Sequence, residues 1–319
     1  MLRDEKILVT GVSGMVGAPI AGYLAQHNEV WGVARFADMA ARTDALYTNP
    51  LSRPAIEAQG VKTCAVDLAS PDFSELPDDF TYVLHLAHTR LSQIDKAVHV
   101  NAVGAGRVLQ HCRRAKAALV MSSHAAYSPP ADVFHPSREG DDMGKAVTPW
   151  APSSPASKIS LEAVARFCAE AFDLRVIVMR LNTVYGIHAG MAVGLPLLNM
   201  DAVMADETID ALADPNPHSP IALDDMYTHL EALLDAASVP GTVVNWTGEE
   251  TVTLQQWCAQ AGELGHKQPR INVTPVPGTL AGSVADATKL RGIVGPSTRT
   301  FASRYEEMFT LRYGAATRA

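Results

Sequence analysis

In KILVTGVSGMVG, residues 6–17, an apolar run leads directly into a glycine-rich turn, and this combination is the strongest indication of the fold. Gly11, Gly14 and Gly17 follow a predicted strand and precede or begin a predicted amphipathic helix over 15–27. Without Cβ atoms the backbone can turn tightly and approach a pyrophosphate, which the first turn of the helix stabilises with N–H groups and its positive dipole end. The glycine spacing alone is a weak signal and also fits a purely structural turn. Its place between a strand and a helix predicts a dinucleotide site.

Beyond this turn, β-branched apolar runs alternate with stretches of helical periodicity. The predicted strands are 6–10, 29–33, 62–66, 81–87, 118–123 and 175–181. Continuously apolar strands indicate burial on both faces, hence a parallel sheet covered by helices on each side. The pattern predicts an α/β fold: a doubly wound Rossmann-type domain over 1–181, followed by a smaller α+β substrate lobe over 182–319 with segments that return to the sheet.

The composition is that of a globular protein, with 319 residues of which 47% are hydrophobic and 19% charged. A net charge of −8 argues against nucleic acid or an anionic membrane as the main partner. The N-terminus fits no targeting peptide, and the weakly charged run 181–200 contains glycine and proline, so we expect no membrane span and a cytoplasmic protein. The widely spaced cysteines predict buried thiols and no metal site: Cys64, Cys112, Cys168 and Cys258.

The end of the second predicted strand bears on the choice of cofactor. Sites that prefer NAD place an acid there to hold the ribose hydroxyls, whereas this chain has Ala34 and Arg35. A guanidinium can pair with a 2′-phosphate and stack on adenine, so NADP(H) is expected over NAD(H), although a surface arginine is the alternative. Asp67 and Leu68, after the third strand, are expected to border the adenine ring.

Several further motifs resemble those of the extended short-chain dehydrogenases/reductases, the group that includes the NAD-dependent epimerase/dehydratase family. Besides TGVSGMVG, they are LHLAH at 84–88, VNAVGAGRVLQ at 100–110, VMSSHAAY at 120–127, SK at 157–158, RLNTVYG at 180–186, ALDDM at 222–226 and VADATKLR at 284–291. The resemblance covers nearly the whole chain and implies a seven-stranded sheet with a small C-terminal lobe over the substrate. It also implies cofactor contacts from Ser13, Met15, Val16, Leu86, Ala87, Lys158, Asn182 and Val184.

The resemblance places the catalytic groups and reveals one departure. Ser123 matches the family's catalytic serine and Lys158 the lysine of its YxxxK pair, but Ser154 stands where the family has tyrosine. A phenol, with an ordinary pKa near 10, is brought towards neutrality by an ammonium and an oxidised nicotinamide, whereas an aliphatic hydroxyl is too weak an acid. The sequence therefore predicts an atypical active site with another proton source. The candidates are His88, His124, Tyr127, Tyr185, and the substrate itself or an ordered water.

The second half of the chain restricts the substrate. No arginine lies between Arg180 and Arg270, so a sugar-nucleotide diphosphate would find little positive charge there. His88, His124, Tyr127, Tyr185 and His188 are the candidate substrate contacts, beside the mainly apolar segment 186–200. We expect an uncharged or weakly polar organic substrate.

Three functions fit these residues. The first is an NADPH-dependent reductase of a ketone, aldehyde or activated double bond in an apolar small molecule. The second is a non-catalytic NADP(H)-binding sensor or regulatory protein, and the third is a redox-neutral epimerase, dehydratase or lyase.

Two surface features accompany these predictions. The segment between Tyr127 and Ser154 is rich in proline, aspartate and glycine, and predicts either a functional loop or a solvated one. The predicted helices around 91–114 and 155–172 correspond to those through which family members dimerise. The resemblance therefore implies a homodimer, with the alternative that these helices only bury one face against the sheet.

Overall fold

The computed structural model describes residues 2–36, 51–149 and 151–314. Its strands are β1 (Lys6–Thr10), β2 (Glu29–Ala34), β3 (Lys62–Ala65), β4 (Tyr82–His85), β5 (Ala117–Ser123), β6 (Val176–Leu181), β7 (Val184–His188), β8 (Met191–Val193), β9 (Thr208–Ala211), β10 (Pro217–His218), β11 (Ile221–Ala222), β12 (Thr242–Trp246), β13 (Val252–Thr253) and β14 (Arg270–Val273). Its α-helices are α1 (Gly17–Ala25), α2 (Arg53–Glu57), α3 (Ile94–Val98), α4 (Gly104–His111), α5 (Ser154–Phe172), α6 (Leu195–Met204), α7 (Leu223–Asp235), α8 (Leu254–Gly265), α9 (Thr288–Val294) and α10 (Phe301–Tyr313).

The chain divides into two compact units. Unit 1 comprises the described residues within Met1–Ala126, Trp150–Arg180 and Tyr227–Val244. Unit 2 comprises those within Tyr127–Pro149, Leu181–Met226 and Asn245–Ala319.

A seven-stranded sheet in the order β12-β6-β5-β4-β1-β2-β3 confirms the predicted Rossmann-type fold. Four neighbouring pairs of this sheet are parallel: β3 with β2, β2 with β1, β1 with β4, and β4 with β5. The strand order reverses at β1, which has β2 on one side and β4 on the other. Ligands of open α/β sheets bind outside the carboxyl ends of the strands at such a switch point. The ends of β1 and β4 are therefore where a site is expected.

The core of unit 1 explains why the strand predictions hold. Ile7, Leu8 and Val9 have no exposed surface, as expected for a strand covered on both faces. Helices α4 and α5 supply the facing apolar side chains, among them Leu109 and Leu161. The seventh strand, β12, lies in a part of the sequence predicted to belong mainly to the small lobe.

Unit 2 consists of short sheets and helices around an aromatic core. Its sheets are β11-β7-β8, β14-β9 and β10-β13. Helix α8 begins with a capping box in which Thr253 and Gln256 satisfy each other's backbone N–H groups. The core includes Tyr185, Trp257, Phe301 and Tyr305, together with apolar residues of α6.

Two of the surface predictions concern the loop 127–149 and the helices expected to form a dimer. In 127–149 the structure has no helix or strand, only single bridges such as Tyr127 to Met143. Most apolar residues of the helices predicted to form the dimer belong to the core of unit 1: Ala102, Val108, Leu109, Leu161, Ala165 and Cys168 are buried. The large apolar side chains that are exposed in these two regions are Ile94, Val103 and Phe167, of which Phe167 is 67% exposed. A homodimer stays a prediction.

Two features of the described residues bear on partners. No helix among them combines the length and hydrophobicity needed to cross a membrane. All four cysteines are buried and free of disulfides, and the described residues contain no cluster of three or more side chains placed to hold a metal ion.

Candidate functional site

The turn between β1 and α1 has room only for glycine at its key positions. A Cβ atom on Gly11 would lie 2.7 Å from the Cα atom of Ala87, and Gly11 has a φ of +71°. A Cβ atom on Gly17 would lie 2.2 Å from the carbonyl oxygen of Gly11. No side chain caps α1 at Val16, and its first turn holds no acid. The turn is thus a close-fitting backbone cradle with a helix N-terminus behind it, which suits a pyrophosphate. Ser13, Gly14 and Met15 complete it, so the predicted contacts of this turn lie together.

Thr10 and His85 hold the end of β4 against this turn. Thr10 Oγ1 accepts hydrogen bonds from the backbone N–H groups of Leu86 and Ala87, both at 3.2 Å. Its own proton is therefore directed to His85 Nδ1 at 3.0 Å. Full burial lowers the pKa of His85 to about 3, so the imidazole is neutral. The predicted cofactor residues Leu86 and Ala87 owe their position to this pair, which sequence reasoning missed.

The segment after β4 brings His88 to Ser154. His88 Nε2 lies 3.0 Å from Ser154 Oγ, which sits on the first residue of α5. The other ring nitrogen, Nδ1, is buried and has no hydrogen-bond partner among the described residues. Burial, followed by the charge of Lys158, lowers the pKa of His88 well below its ordinary value. Two of the predicted catalytic residues, 66 positions apart in sequence, thus share a hydrogen bond.

Asn101 fixes this segment and was not predicted. Its Oδ1 accepts from the Thr89 N–H at 2.8 Å, and its Nδ2 donates to the Thr89 carbonyl at 2.9 Å. Asn101 is buried within a π-helical turn, His99–Val103, that joins α3 to α4. Such turns are frequent at functional sites. In the sequence Asn101 stands within the family-like stretch VNAVGAGRVLQ at 100–110, but nothing in that stretch indicates its bonds to Thr89.

Lys158 is a buried cation one helical turn beyond Ser154. Its Nζ donates to the carbonyl oxygen of Met121 at 2.7 Å, near the carboxyl end of β5. Burial lowers its pKa to about 8, and the nearby charge of Glu162 opposes this shift. The predicted contact of this ammonium with ribose hydroxyls stays a prediction.

Behind Lys158, a buried ion pair links α5 to the sheet. Arg180 Nη2 lies 2.8 Å from Glu162 Oε2, and its Nε lies 3.0 Å from Oε1. Ser122 Oγ donates to the same Oε1 at 2.5 Å. This bidentate pair with a third donor fixes α5, and with it Ser154 and Lys158, against β5 and β6.

Ser123 and His124 lie directly after that contact. Ser123 ends β5, and its Oγ accepts from the Ala125 N–H at 3.2 Å. His124 begins a short 3-10 turn and is buried. Ser123 therefore lies two residues beyond Met121, to which Lys158 is bonded.

The end of β2 carries the predicted cofactor-selecting residue. Ala34 ends the strand and Arg35 follows it with an exposed side chain. The next residue, Phe36, has its ring 5.3 Å from the guanidinium carbon of Arg53. After β3, the Asp67 carboxylate caps its own turn by accepting from the Ala69 N–H, and Leu68 packs against Gly104 of α4. No acidic side chain stands at 34–36.

Within unit 2, the remaining predicted residues have separate environments. The Tyr127 hydroxyl donates to Asn245 Oδ1 at 2.7 Å inside the protein. Tyr185 is buried against Phe301, and burial raises its pKa.

The predicted residues in and beside β7 are held by other contacts. Asn182 Oδ1 accepts from the Thr183 N–H and from Ser283 Oγ, and Val184, two residues further on, is buried on β7. Burial lowers the pKa of His188, at the end of β7. Tyr127 thus anchors the 127–149 segment, whereas Tyr185 belongs to the aromatic core.

That aromatic core also contains buried polar atoms. The rings of His218 and Trp257 lie 5.2 Å apart, and Trp257 lies 6.3 Å from Phe301. His218 Nδ1 contacts Thr183 Oγ1 at 2.7 Å. Among the described residues, His218 Nε2, Trp257 Nε1 and Asn199 Nδ2 have no hydrogen-bond partner.

Most cations of unit 2 are matched by carboxylates. The pairs are Arg138–Asp286, Lys145–Asp142, Lys267–Asp206, Arg291–Glu249, Arg299–Glu307, Arg304–Asp225 and Arg312–Asp201. A diphosphate would have to compete with these carboxylates for each guanidinium or ammonium.

Residues 7–197 match the model of the NAD dependent epimerase/dehydratase family. The chain belongs to this family. The predicted resemblance is therefore confirmed. A search of curated proteins finds no match.

Solved structures with the same fold include several epimerases. A mutant of UDP-glucuronic acid 4-epimerase from Bacillus cereus, in complex with UDP-4-deoxy-4-fluoro-glucuronic acid and NAD, has a TM-score of 0.76 and 20% identity over 98% of this chain and 99% of that one. UDP-N-acetylglucosamine 4-epimerase from Methanobrevibacter ruminantium has a TM-score of 0.75 and 18% identity over 99% and 100%. UDP-glucose 4-epimerase from Thermus thermophilus, in complex with NAD, has 0.74 and 20% over 97% and 99%. At this identity the matches establish a common fold.

Proposed function

We propose that this protein is a pyridine-nucleotide-dependent enzyme of redox-neutral type, an epimerase, dehydratase or lyase, that acts on a hydroxyl-bearing small molecule. The observation that carries the proposal is the family match over 7–197, which includes the close-fitting glycine turn and the buried Lys158. A bound nicotinamide supplies an acceptor and donor of hydride. The chain's own residues bind the pyrophosphate at Gly11–Gly17, the ribose at Lys158, and a substrate oxygen near Ser123 and Ser154.

The cofactor we propose is NADP(H) rather than NAD(H). Arg35 is exposed immediately after β2, and the acid that would hold a 2′-hydroxyl is absent from 34–36. The similar structures in complex with NAD support the opposite preference, so the two cofactors must be compared directly. Arg35→Asp would reverse the preference, because the carboxylate repels a 2′-phosphate and accepts from a 2′-hydroxyl.

The substrate we propose carries no diphosphate. The carboxylate partners of the cations in unit 2 support this, because each carboxylate already neutralises a guanidinium or ammonium that would otherwise bind a diphosphate.

A net NADPH-dependent reductase is the second candidate, favoured by Arg35 at the end of β2. Both candidate functions are tested first by calorimetric titration of the purified protein with NADP⁺ and with NAD⁺. We expect NADP⁺ to bind at least about tenfold more tightly, a difference of about 1.4 kcal/mol, and Arg35→Asp to invert the order. Failure of both nucleotides to bind would refute the proposal.

Stoichiometry then separates the two candidates. With hydroxy and keto compounds in large excess over cofactor, a redox-neutral enzyme converts many equivalents without net change at the reduced-nicotinamide absorbance band. A reductase instead consumes one NADPH per product. A bound cofactor that never changes its redox state with any compound would indicate the sensor function.

A further inference from the structure

The pairs His88–Ser154 and His85–Thr10 differ in what else the hydroxyl does. Each imidazole has one hydroxyl contact and one buried nitrogen, His88 Nδ1 or His85 Nε2, without a partner among the described residues. Thr10 is part of a closed scaffold, because its Oγ1 also accepts two backbone N–H groups. Among the described residues Ser154 Oγ bonds to His88 alone, at 3.0 Å, so it is able to exchange a proton with the imidazole and with a further group.

The elements around the pair hold it in place. His88 follows β4, and the next residue, Thr89, is held at both backbone groups by Asn101. Ser154 begins α5, which the Glu162–Arg180 pair fixes against the sheet. Both groups thus belong to rigid parts of unit 1, and Lys158 lies one helical turn from Ser154.

We propose that the His88 imidazole and the Ser154 hydroxyl act as one proton-transfer pair, in which Ser154 Oγ exchanges a proton with a carbinol oxygen of the substrate and His88 Nε2 takes up the displaced proton. This assignment rests on the hydride-exchange function proposed above. It gives the chain a proton route where the family resemblance predicts a tyrosine.

The step balances in both directions. In the oxidative half, the substrate O–H bond breaks, a new O–H bond forms on Ser154 Oγ, and the original Ser154 proton forms an N–H bond on His88 Nε2. An oxidised nicotinamide, bound at the glycine turn and Lys158, would supply the hydride acceptor, so that the substrate would leave as a carbonyl compound and His88 as an imidazolium. The reductive half reverses both transfers. Because burial and Lys158 oppose a charge on His88, the imidazolium returns its proton readily.

The pair can be tested without the natural substrate. In the full-length Ser154→Cys variant, a base at His88 draws the proton from the new thiol, and the thiolate sulfur displaces iodide from iodoacetamide with formation of an S–C bond. The probe is iodoacetamide, with the alkylation rate followed from pH 5 to 10. We expect an apparent thiol pKa at least about one unit below the ordinary value of about 8.5. In the Ser154→Cys/His88→Asn double variant it returns towards that value, and alkylation at pH 7 slows roughly tenfold.

Matched controls exclude other causes. Ser160→Cys places a thiol on the same helix, where the serine bonds only to the Ala156 carbonyl, and should show ordinary reactivity. Adding Lys158→Gln to Ser154→Cys measures how much of the lowered thiol pKa is due to the Lys158 ammonium. Ser154 is 8% exposed and the four native cysteines are also buried, so alkylation of the unaltered protein is subtracted and variants are compared by the pH midpoint of their alkylation. Circular dichroism and urea denaturation of each variant establish folding.

Two results overturn the proposal: an apparent pKa of the Ser154→Cys thiol that is no lower than that of the Ser160→Cys thiol, or a lowered pKa that survives His88→Asn. Nucleotide binding is measured separately, so the failure of each idea is distinct. If the thiol pKa depends on His88 but no nucleotide binds, the proton-transfer pair stands and the proposed function is refuted. If a nucleotide binds but the thiol pKa does not depend on His88, the proposed function stands and the pair is refuted.

Discussion

Unit 1 and unit 2 each bury an imidazole against a threonine hydroxyl, but they differ in how deeply their ion pairs are buried. His85 contacts Thr10 in unit 1, and His218 contacts Thr183 in unit 2. Unit 1 also buries an ion pair, Glu162–Arg180, and bonds the Lys158 ammonium to a carbonyl group. The ion pairs of unit 2 have at least one partly exposed member each. The buried charges therefore mark unit 1 as the region where position must be fixed, which is what cofactor and proton chemistry require.

The largest effect is expected from the buried pair. Glu162→Gln leaves the Arg180 guanidinium buried with a neutral partner, and should lower the free energy of unfolding by about 3–5 kcal/mol. Asp225→Asn, the matched change at the Arg304 pair of unit 2, acts on a carboxylate that is 24% exposed. Because water can replace part of its contacts, its cost should be at most about half. Urea denaturation of both variants measures the difference, and equal costs would remove the contrast between the units.

A glycine substitution in each unit tests whether the turn of unit 1 binds the cofactor. In Gly17→Ala the new methyl group meets the Gly11 carbonyl oxygen at 2.2 Å, so the turn must open where the pyrophosphate would lie. We expect NADP⁺ affinity to fall at least about 100-fold, or about 2.7 kcal/mol. Gly292→Ala, in α9 of unit 2 where a Cβ atom meets nothing within 4 Å, is the control and should leave affinity unchanged. Calorimetry showing equal affinities for the two variants would remove the turn from the binding site.

The buried histidines predict a smaller, graded effect of pH. Burial holds the pKa of His85 at about 3 and that of His218 at about 4, both below the ordinary value of 6.5. Between these values and 6.5 the unfolded chain binds the extra proton, so stability is complete above pH 6.5 and declines as pH falls through this window. Each histidine contributes a slope of about 1.4 kcal/mol per pH unit.

Replacing either histidine should remove one such slope. The free energy of unfolding of His85→Gln or His218→Gln, measured in urea at several values between pH 4.5 and 6.5, should decline less steeply than that of the wild type. His27→Gln, at a partly exposed residue, is the control. An unchanged slope in His85→Gln would contradict the neutral, buried imidazole in unit 1.

Much of unit 1 was predictable because its signals are local. The six predicted strands coincide with β1–β6 to within two residues at each end, since an apolar run that is buried on both faces is visible in the sequence. The glycine turn was equally visible, because the need for a missing Cβ atom selects one residue type. The family motifs then placed Lys158 and Ser154 on one helix.

The parts that escaped prediction depend on distant partners. Strand β12 follows ordinary apolar periodicity, and only its pairing with β6 makes it part of the main sheet. Asn101 resembles any polar residue in a helix until its two bonds to Thr89 are seen. His88 was one of several candidate proton sources, and nothing near it in the sequence distinguished it from His124.

By itself, the sequence determined the Rossmann-type alternation, the glycine turn and the serine that precedes Lys158, because each follows from the chemistry of neighbouring residues. The tertiary structure alone decided that an imidazole meets that serine and that Glu162 and Arg180 share a buried contact. Hydrogen bonds and ion pairs act over a few ångströms, and only the packing of helix on sheet brings residues so far apart in the chain within that reach.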